Sequence, residues 1–194
     1  SVSDWPLLEK IAASDLPIIS SSGGARMEEV DNLVSFLKHK EKKFALMHCV
    51  GIYPTENEDL VLNRIDWFRE RYYDLTIGFS THESPGNLFP GVIAAAKGAR
   101  IFEKHVGVET DTYKLNAYSC SPDQVRQWLE ALKNTLTMCG PRAMEDYSVN
   151  PKELSALQDL KRGVFMKKSV SGGKSFSADD VFLAMPNKEG QMTA

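Results

Sequence analysis

The sequence predicts an α/β protein built on a parallel sheet, and three observations carry that expectation. Short apolar runs begin roughly every 25–31 residues, the rhythm of consecutive βα units. Each run is four or five residues long and follows charged or glycine-containing sequence, as a strand buried on both faces does. Between the runs, apolar residues recur at helical spacing.

The runs are Leu16-Pro17-Ile18-Ile19, Phe44-Ala45-Leu46-Met47, Leu75-Thr76-Ile77-Gly78-Phe79 and Ala99-Arg100-Ile101-Phe102. A helix-like piece from Trp5 to Ser14 stands before the first run, with no strand in front of it. The helical periods that follow cover Met27 to His39 (Val30, Leu33, Val34, Leu37), Leu60 to Arg71 (Leu62, Ile65, Phe68), Leu88 to Lys97, and Asp123 to Met138 (Val125, Trp128, Leu129, Leu132, Leu136). After Gly140 the pattern changes. Residues 141–160 read as a linker with a short helix from Glu153 to Lys161. Residues 161–194 read as a small β-rich unit, with Val164-Phe165-Met166, a turn at Ser171-Gly172-Gly173-Lys174, and Ser177 to Asp180 as a cap or turn before Val181-Phe182-Leu183.

Composition narrows the class. Of 194 residues, 42% are hydrophobic and 25% charged, which excludes disordered and collagen-like chains. Lysine and arginine number 23 against 26 aspartate and glutamate, for a net charge of −3, so no basic excess points to nucleic acid. No apolar run approaches the ~18–20 residues that cross a bilayer, and the N-terminus lacks a signal pattern. The expectation is a soluble cytoplasmic protein without membrane or nucleic-acid partners. Cys49, Cys120 and Cys139 are too widely spaced for a zinc knuckle and odd in number, so they are expected to be free thiols.

In a parallel α/β array the ligand site lies at the C-terminal ends of the strands. Past the first run, Ser20-Ser21-Ser22-Gly23-Gly24 forms a small polar loop before a helix, suited to an anion such as phosphate. The second, third and fourth runs lead into His48, His82 and His105. Neighbouring strands lie only ~4.8 Å apart, so His82 and His105 are candidates to share one divalent metal. Glu103, two residues from His105, points to the same side as a third candidate. His48 sits earlier on its strand and reads as structural, hydrogen-bonded inside the barrel. His39, at a lysine-rich helix end, reads as a surface residue.

These residues carry a resemblance. His48-Cys49-Val50-Gly51-Ile52-Tyr53-Pro54-Thr55, Gly78-Phe79-Ser80-Thr81-His82 and Glu103-Lys104-His105 resemble the HCxxxYPT, GxSDH and EKH signatures of the sialic acid synthase (N-acetylneuraminate synthase) family, including relatives of spore coat polysaccharide biosynthesis protein E. Ile19-Ser20-Ser21-Ser22-Gly23 is similar to the family's ILSTG segment. Lys161-Arg162-Gly163-Val164-Phe165 through Asp180 is similar to the start of its C-terminal SAF (antifreeze-like) domain.

The resemblance implies that residues 1–140 are the C-terminal half of a TIM (β/α)8 barrel and residues 161–194 a partial SAF domain. The complete protein would then be longer, roughly 330–350 residues if a full barrel precedes the SAF domain. An isolated half-barrel would leave two sheet edges unpaired.

It also implies an activity. Family members condense phosphoenolpyruvate with the open-chain aldehyde of an N-acylated amino sugar, giving a nonulosonic (sialic-type) acid and phosphate for surface or spore-coat polysaccharide. Water adds at the oxocarbenium-like carbon and the C–O bond to phosphate breaks. By resemblance, His82 and His105 are metal ligands for Mn²⁺ or Mg²⁺, and Glu103 is the acidic catalytic residue beside the metal. Ser21, Ser22 and Ser80 surround phosphoenolpyruvate, and Tyr53 faces the sugar in both a catalytic and a binding role. A domain-swapped homodimer is implied as well.

The departures concentrate at the sugar end. Thr81 stands for the aspartate of GxSDH and Gly51 for an asparagine. Tyr113-Lys114-Leu115-Asn116 replaces a GPDH-like segment, and Met185-Pro186 replaces an Arg-Pro. Two alternatives therefore stand beside the synthase: a non-catalytic relative that has lost the sugar pocket, and a metal-dependent aldolase using pyruvate.

Overall fold

The computed structural model describes residues 2–158 and 160–193. The chain divides into two compact units, Ser1–Gly140 and Pro141–Ala194.

The first unit runs α1 (Trp5–Ala12), β1 (Ile18–Ser21), α2 (Met27–His39), β2 (Phe44–Cys49), α3 (Asn63–Arg71), β3 (Thr76–Thr81), α4 (Phe89–Ala96), β4 (Ile101–Lys104) and α5 (Pro122–Cys139). The four strands form one parallel sheet in the order β1-β2-β3-β4, curled as half of a βα barrel. Each strand extends two residues beyond its apolar run, so Ser20, Ser21, His48, Cys49, Ser80, Thr81, Glu103 and Lys104 all lie in strands. Their polarity conceals them in the sequence, because an apolar run marks only the part of a strand buried on both faces.

Side chains alternate along each strand, and the helices decide which parity turns outward. Leu46, Ile77, Phe79 and Phe102 pack with Val30, Val34, Ile65 and Phe68 of α2 and α3 in the main core. Ile18 and Phe44 join Leu33, Leu37 and Leu8, which seats α1 on α2. Trp128 of α5 packs with Ala95 of α4 and with Phe102. The opposite parity forms the inner face. There Met47 lies across Gly78, where an added Cβ would stand 2.1 Å from the Met47 sulfur, so this strand position requires glycine.

Helix ends follow local sequence. The Ser121 hydroxyl accepts from the Gln124 N–H, the Gln124 side chain accepts from the Ser121 N–H, and Pro122 occupies the first turn of α5. His39 ends α2 and is exposed, as its sequence context predicts. All three cysteines are free, Cys49 and Cys120 buried and Cys139 exposed.

The second unit contains α6 (Pro151–Gln158) and an antiparallel pair, β5 (Gly163–Met166) with β6 (Val181–Ala184). Phe165 and Phe182 stack across the pair at 5.5 Å. A capping box between Ser177 and Asp180 leads into β6, where the sequence predicts a cap. Among the described residues of this unit no apolar side chain is fully buried, and backbone pairing, one ring stack and side-chain hydrogen bonds such as Gln158 to Asn187 and Gln191 to the Val164 carbonyl hold it. No helix among the described residues is long and apolar enough to cross a membrane.

Candidate active site

The inner face at the strand C-termini holds two rows of polar residues. In register, Cys49 pairs with Ser80 and Ser80 with Glu103. Two residues further on, just past β3 and β4, stand His82 and His105. Their ring centroids are 5.1 Å apart, so neighbouring strand ends bring the two imidazoles together.

His82 is held from three directions. Its Nδ1 lies 2.9 Å from the Val50 carbonyl, its own carbonyl accepts from the Thr55 N–H at 3.1 Å, and the Tyr53 ring packs on it at 4.0 Å between centroids. The Thr55 hydroxyl donates to the Ile52 carbonyl and closes the turn that carries Tyr53. With a carbonyl as partner, Nδ1 carries the proton and Nε2 keeps the lone pair. Burial depresses the basicity of His82, partly offset by the Val50 carbonyl, and the nearby His105 depresses it further. The ring is therefore neutral and available as a ligand at ordinary pH.

His105 is fixed through its backbone. Its carbonyl accepts from the Cys120 N–H at 2.9 Å, and Gly107 donates to the Cys120 carbonyl. This pairing draws in Tyr118, whose ring lies 5.0 Å from His105 and 5.2 Å from Tyr53. Four rings thus gather at these strand ends. Sequence reasoning missed Tyr118, which lies in an irregular stretch before α5 without periodicity or motif to mark it.

Other predicted residues fall in different places. Ser80 is buried on the inner face beside Glu103, and Ser21 is exposed at the end of β1. Ser22 is corrected: it is fully buried, and both its hydroxyl (2.9 Å) and its N–H (3.0 Å) donate to the Met47 carbonyl, so its hydroxyl secures the strand end. His48 is structural, but on the other side of the sheet. It faces the helices, stacked on Phe79 and hydrogen-bonded at 2.7 Å to the Leu60 carbonyl, because it shares the parity of Leu46.

Glu103 shares the inner face with His105 but is exposed and does not converge with the histidines. Among the described residues, no three His, Cys, Asp or Glu side chains come together as a metal cage. The two imidazoles are a partial donor set, which would leave coordination positions open for water or substrate.

A pair that sequence reasoning also missed lies behind the site. Lys104 and Glu83 form an ion pair of 2.7 Å with side chains only 3% and 1% exposed. Glu83 stands next to His82 in the motif, which was the available signal.

A parallel βα half-barrel with histidines and tyrosines gathered at its strand C-termini defines a barrel protein of the kind that binds small polar ligands at that end. The chain belongs to the NeuB family, whose family model matches residues 1–143. It is 36% identical over 139 residues to the N-acetylneuraminate-9-phosphate synthase of Drosophila melanogaster, covering 69% of this chain and 35% of that protein. It is 28% identical over 186 residues to the pseudaminic acid synthase of Helicobacter pylori, covering 95% of this chain and 53% of that protein. Among solved structures, the spore coat polysaccharide biosynthesis protein E of Chromobacterium violaceum superposes with a TM-score of 0.93 at 47% identity, covering all of this chain and 57% of that one. The chain spans about half the length of most of the curated relatives it matches.

Proposed function

We propose that the protein condenses phosphoenolpyruvate with the aldehyde form of an N-acylated amino sugar, releasing phosphate and a nonulosonic acid. The observation that carries this reading is the His82–His105 pair at adjacent strand ends beneath Tyr53, in a chain of the NeuB family. His82 and His105 would hold Mn²⁺ or Mg²⁺. A divalent ion there supplies Lewis-acid polarisation of an aldehyde oxygen.

The chain's own residues prepare the site. The Val50 carbonyl orients His82, and burial keeps its ring neutral. Tyr53 and Tyr118 flank one side of the histidine pair and offer ring faces and phenol groups to a polyhydroxylated substrate. Ser80 on β3 and Ser21 on β1 supply hydroxyls for phosphoenolpyruvate, and Glu103 supplies a carboxylate on the same face. The second unit is read as the opening of a SAF domain, and a swapped homodimer belongs to the same reading.

A non-catalytic role is the second reading. Leu115, where the resembling signature carries an aspartate, packs against Gly107: a Cβ on that glycine would lie 2.6 Å from the leucine side chain. An apolar contact there offers a sugar hydroxyl nothing.

Phosphate release from phosphoenolpyruvate, assayed with the full chain, a panel of N-acylated hexosamines and added Mn²⁺ or Mg²⁺, tests the reading. The expected result is release that needs both sugar and metal. Metal binding without release on any sugar supports the non-catalytic role, and turnover of pyruvate without phosphate identifies an aldolase.

A further inference from the structure

The hydrogen-bonded register between β3 and β4 ends at Thr81 opposite Lys104. His82 and His105 are the next residues on each strand, so no ladder bond sets the distance between them. Where the ladder stops, the Glu83–Lys104 ion pair takes over. Glu83 directly follows His82 and Lys104 directly precedes His105, and their charged ends meet at 2.7 Å on the helix-facing side with almost no exposure to water.

We propose that the Glu83–Lys104 pair is a positioning clamp for the histidine pair, fixing the separation at which His82 and His105 can share one divalent cation. The inference rests on the metal reading of that pair. A buried charge stripped of its partner is strongly unfavourable, so each member holds the other in one place, and through the adjoining peptide each holds a histidine. The chemistry agrees with its surroundings. Thr81, the direct register neighbour of Lys104, has a buried hydroxyl without a partner, and the second carboxylate oxygen of Glu83 is also buried and unpartnered. Thr81 also occupies the aspartate position of the GxSDH signature. A carboxylate at position 81 would stand directly opposite Lys104 in the register.

The test uses the full chain loaded with Co²⁺, followed by its visible absorption spectrum and by calorimetric affinity. Glu83→Gln is expected to weaken Co²⁺ binding about tenfold or more, as loss of a supporting residue does at metal sites, and to alter the ligand-field bands. The exchange Thr81→Asp with Glu83→Thr, which returns a carboxylate opposite Lys104, is expected to restore both. If Glu83→Gln does not fold, the apolar replacement Glu83→Met with Lys104→Met removes the clamp without leaving a bare charge, and the same weakening is expected. Folded variants that bind Co²⁺ with wild-type affinity and spectrum overturn the clamp and leave the metal reading standing. Wild-type protein that binds no Co²⁺ overturns the metal reading and the clamp with it.

Discussion

His48 lies near the end of β2 and His82 just past the neighbouring β3, yet they face opposite sides of one sheet. His48 turns to the helices, among Phe68 and Phe79, and satisfies the Leu60 carbonyl. His82 turns inward, with the Tyr53 ring tilted against it and His105 beside it. One residue of parity separates a core histidine from one at the candidate site, so the helix-facing side is expected to carry stability and the inner side the proposed chemistry.

The largest effect is expected from the inner side. His82→Ala or His105→Ala removes one of two imidazole donors, and phosphate release should fall below detection, while stability falls by no more than the about 1–3 kcal/mol expected when the Val50 carbonyl loses its His82 partner. A larger loss, read from urea denaturation, would show that these rings belong to the core instead.

On the helix-facing side the expectation reverses. Phe79→Ala empties a fully buried site and should cost about 3–5 kcal/mol of stability, read from chemical denaturation. His48→Gln should cost about 1–3 kcal/mol, because the Leu60 carbonyl loses a well-placed donor. Burial depresses the basicity of His48 below the ordinary value of 6.5. The unfolded chain then binds more protons between the two values, so this contribution is complete above about pH 6.5 and declines as pH falls below it. The fall in stability from pH 7 to pH 5 should be smaller in His48→Gln than in wild type. The smallest effect is Ser22→Ala, about 1 kcal/mol for its bond to the Met47 carbonyl.

Much of the first unit was legible because its strands and helices bury contiguous apolar surface, which leaves periodic marks at Val30, Leu33, Ile65 and Phe68. The strand ends were less legible. Ser80, Glu103 and Lys104 are in strands, but their polarity reads as loop until a register places them. The side taken by His48 follows from counting parity from Leu46, a step that needs the strand extended past Met47. The Glu83–Lys104 pair joins residues 21 apart in sequence, and no local pattern announces a contact between strand ends. The hydroxyl of Ser22 looked like a ligand donor because a Ser/Gly loop does not reveal which hydroxyl caps the neighbouring strand.

The most direct test of the account is histidine-selective ¹⁵N spectroscopy of the full chain titrated with Zn²⁺ as a diamagnetic probe. His82 and His105 should shift together at the same metal ratio, with the coordinated nitrogen of His82 being Nε2, while His48 and His39 stay in place. A shift confined to His39, or His82 and His105 unmoved at saturating metal, would contradict it.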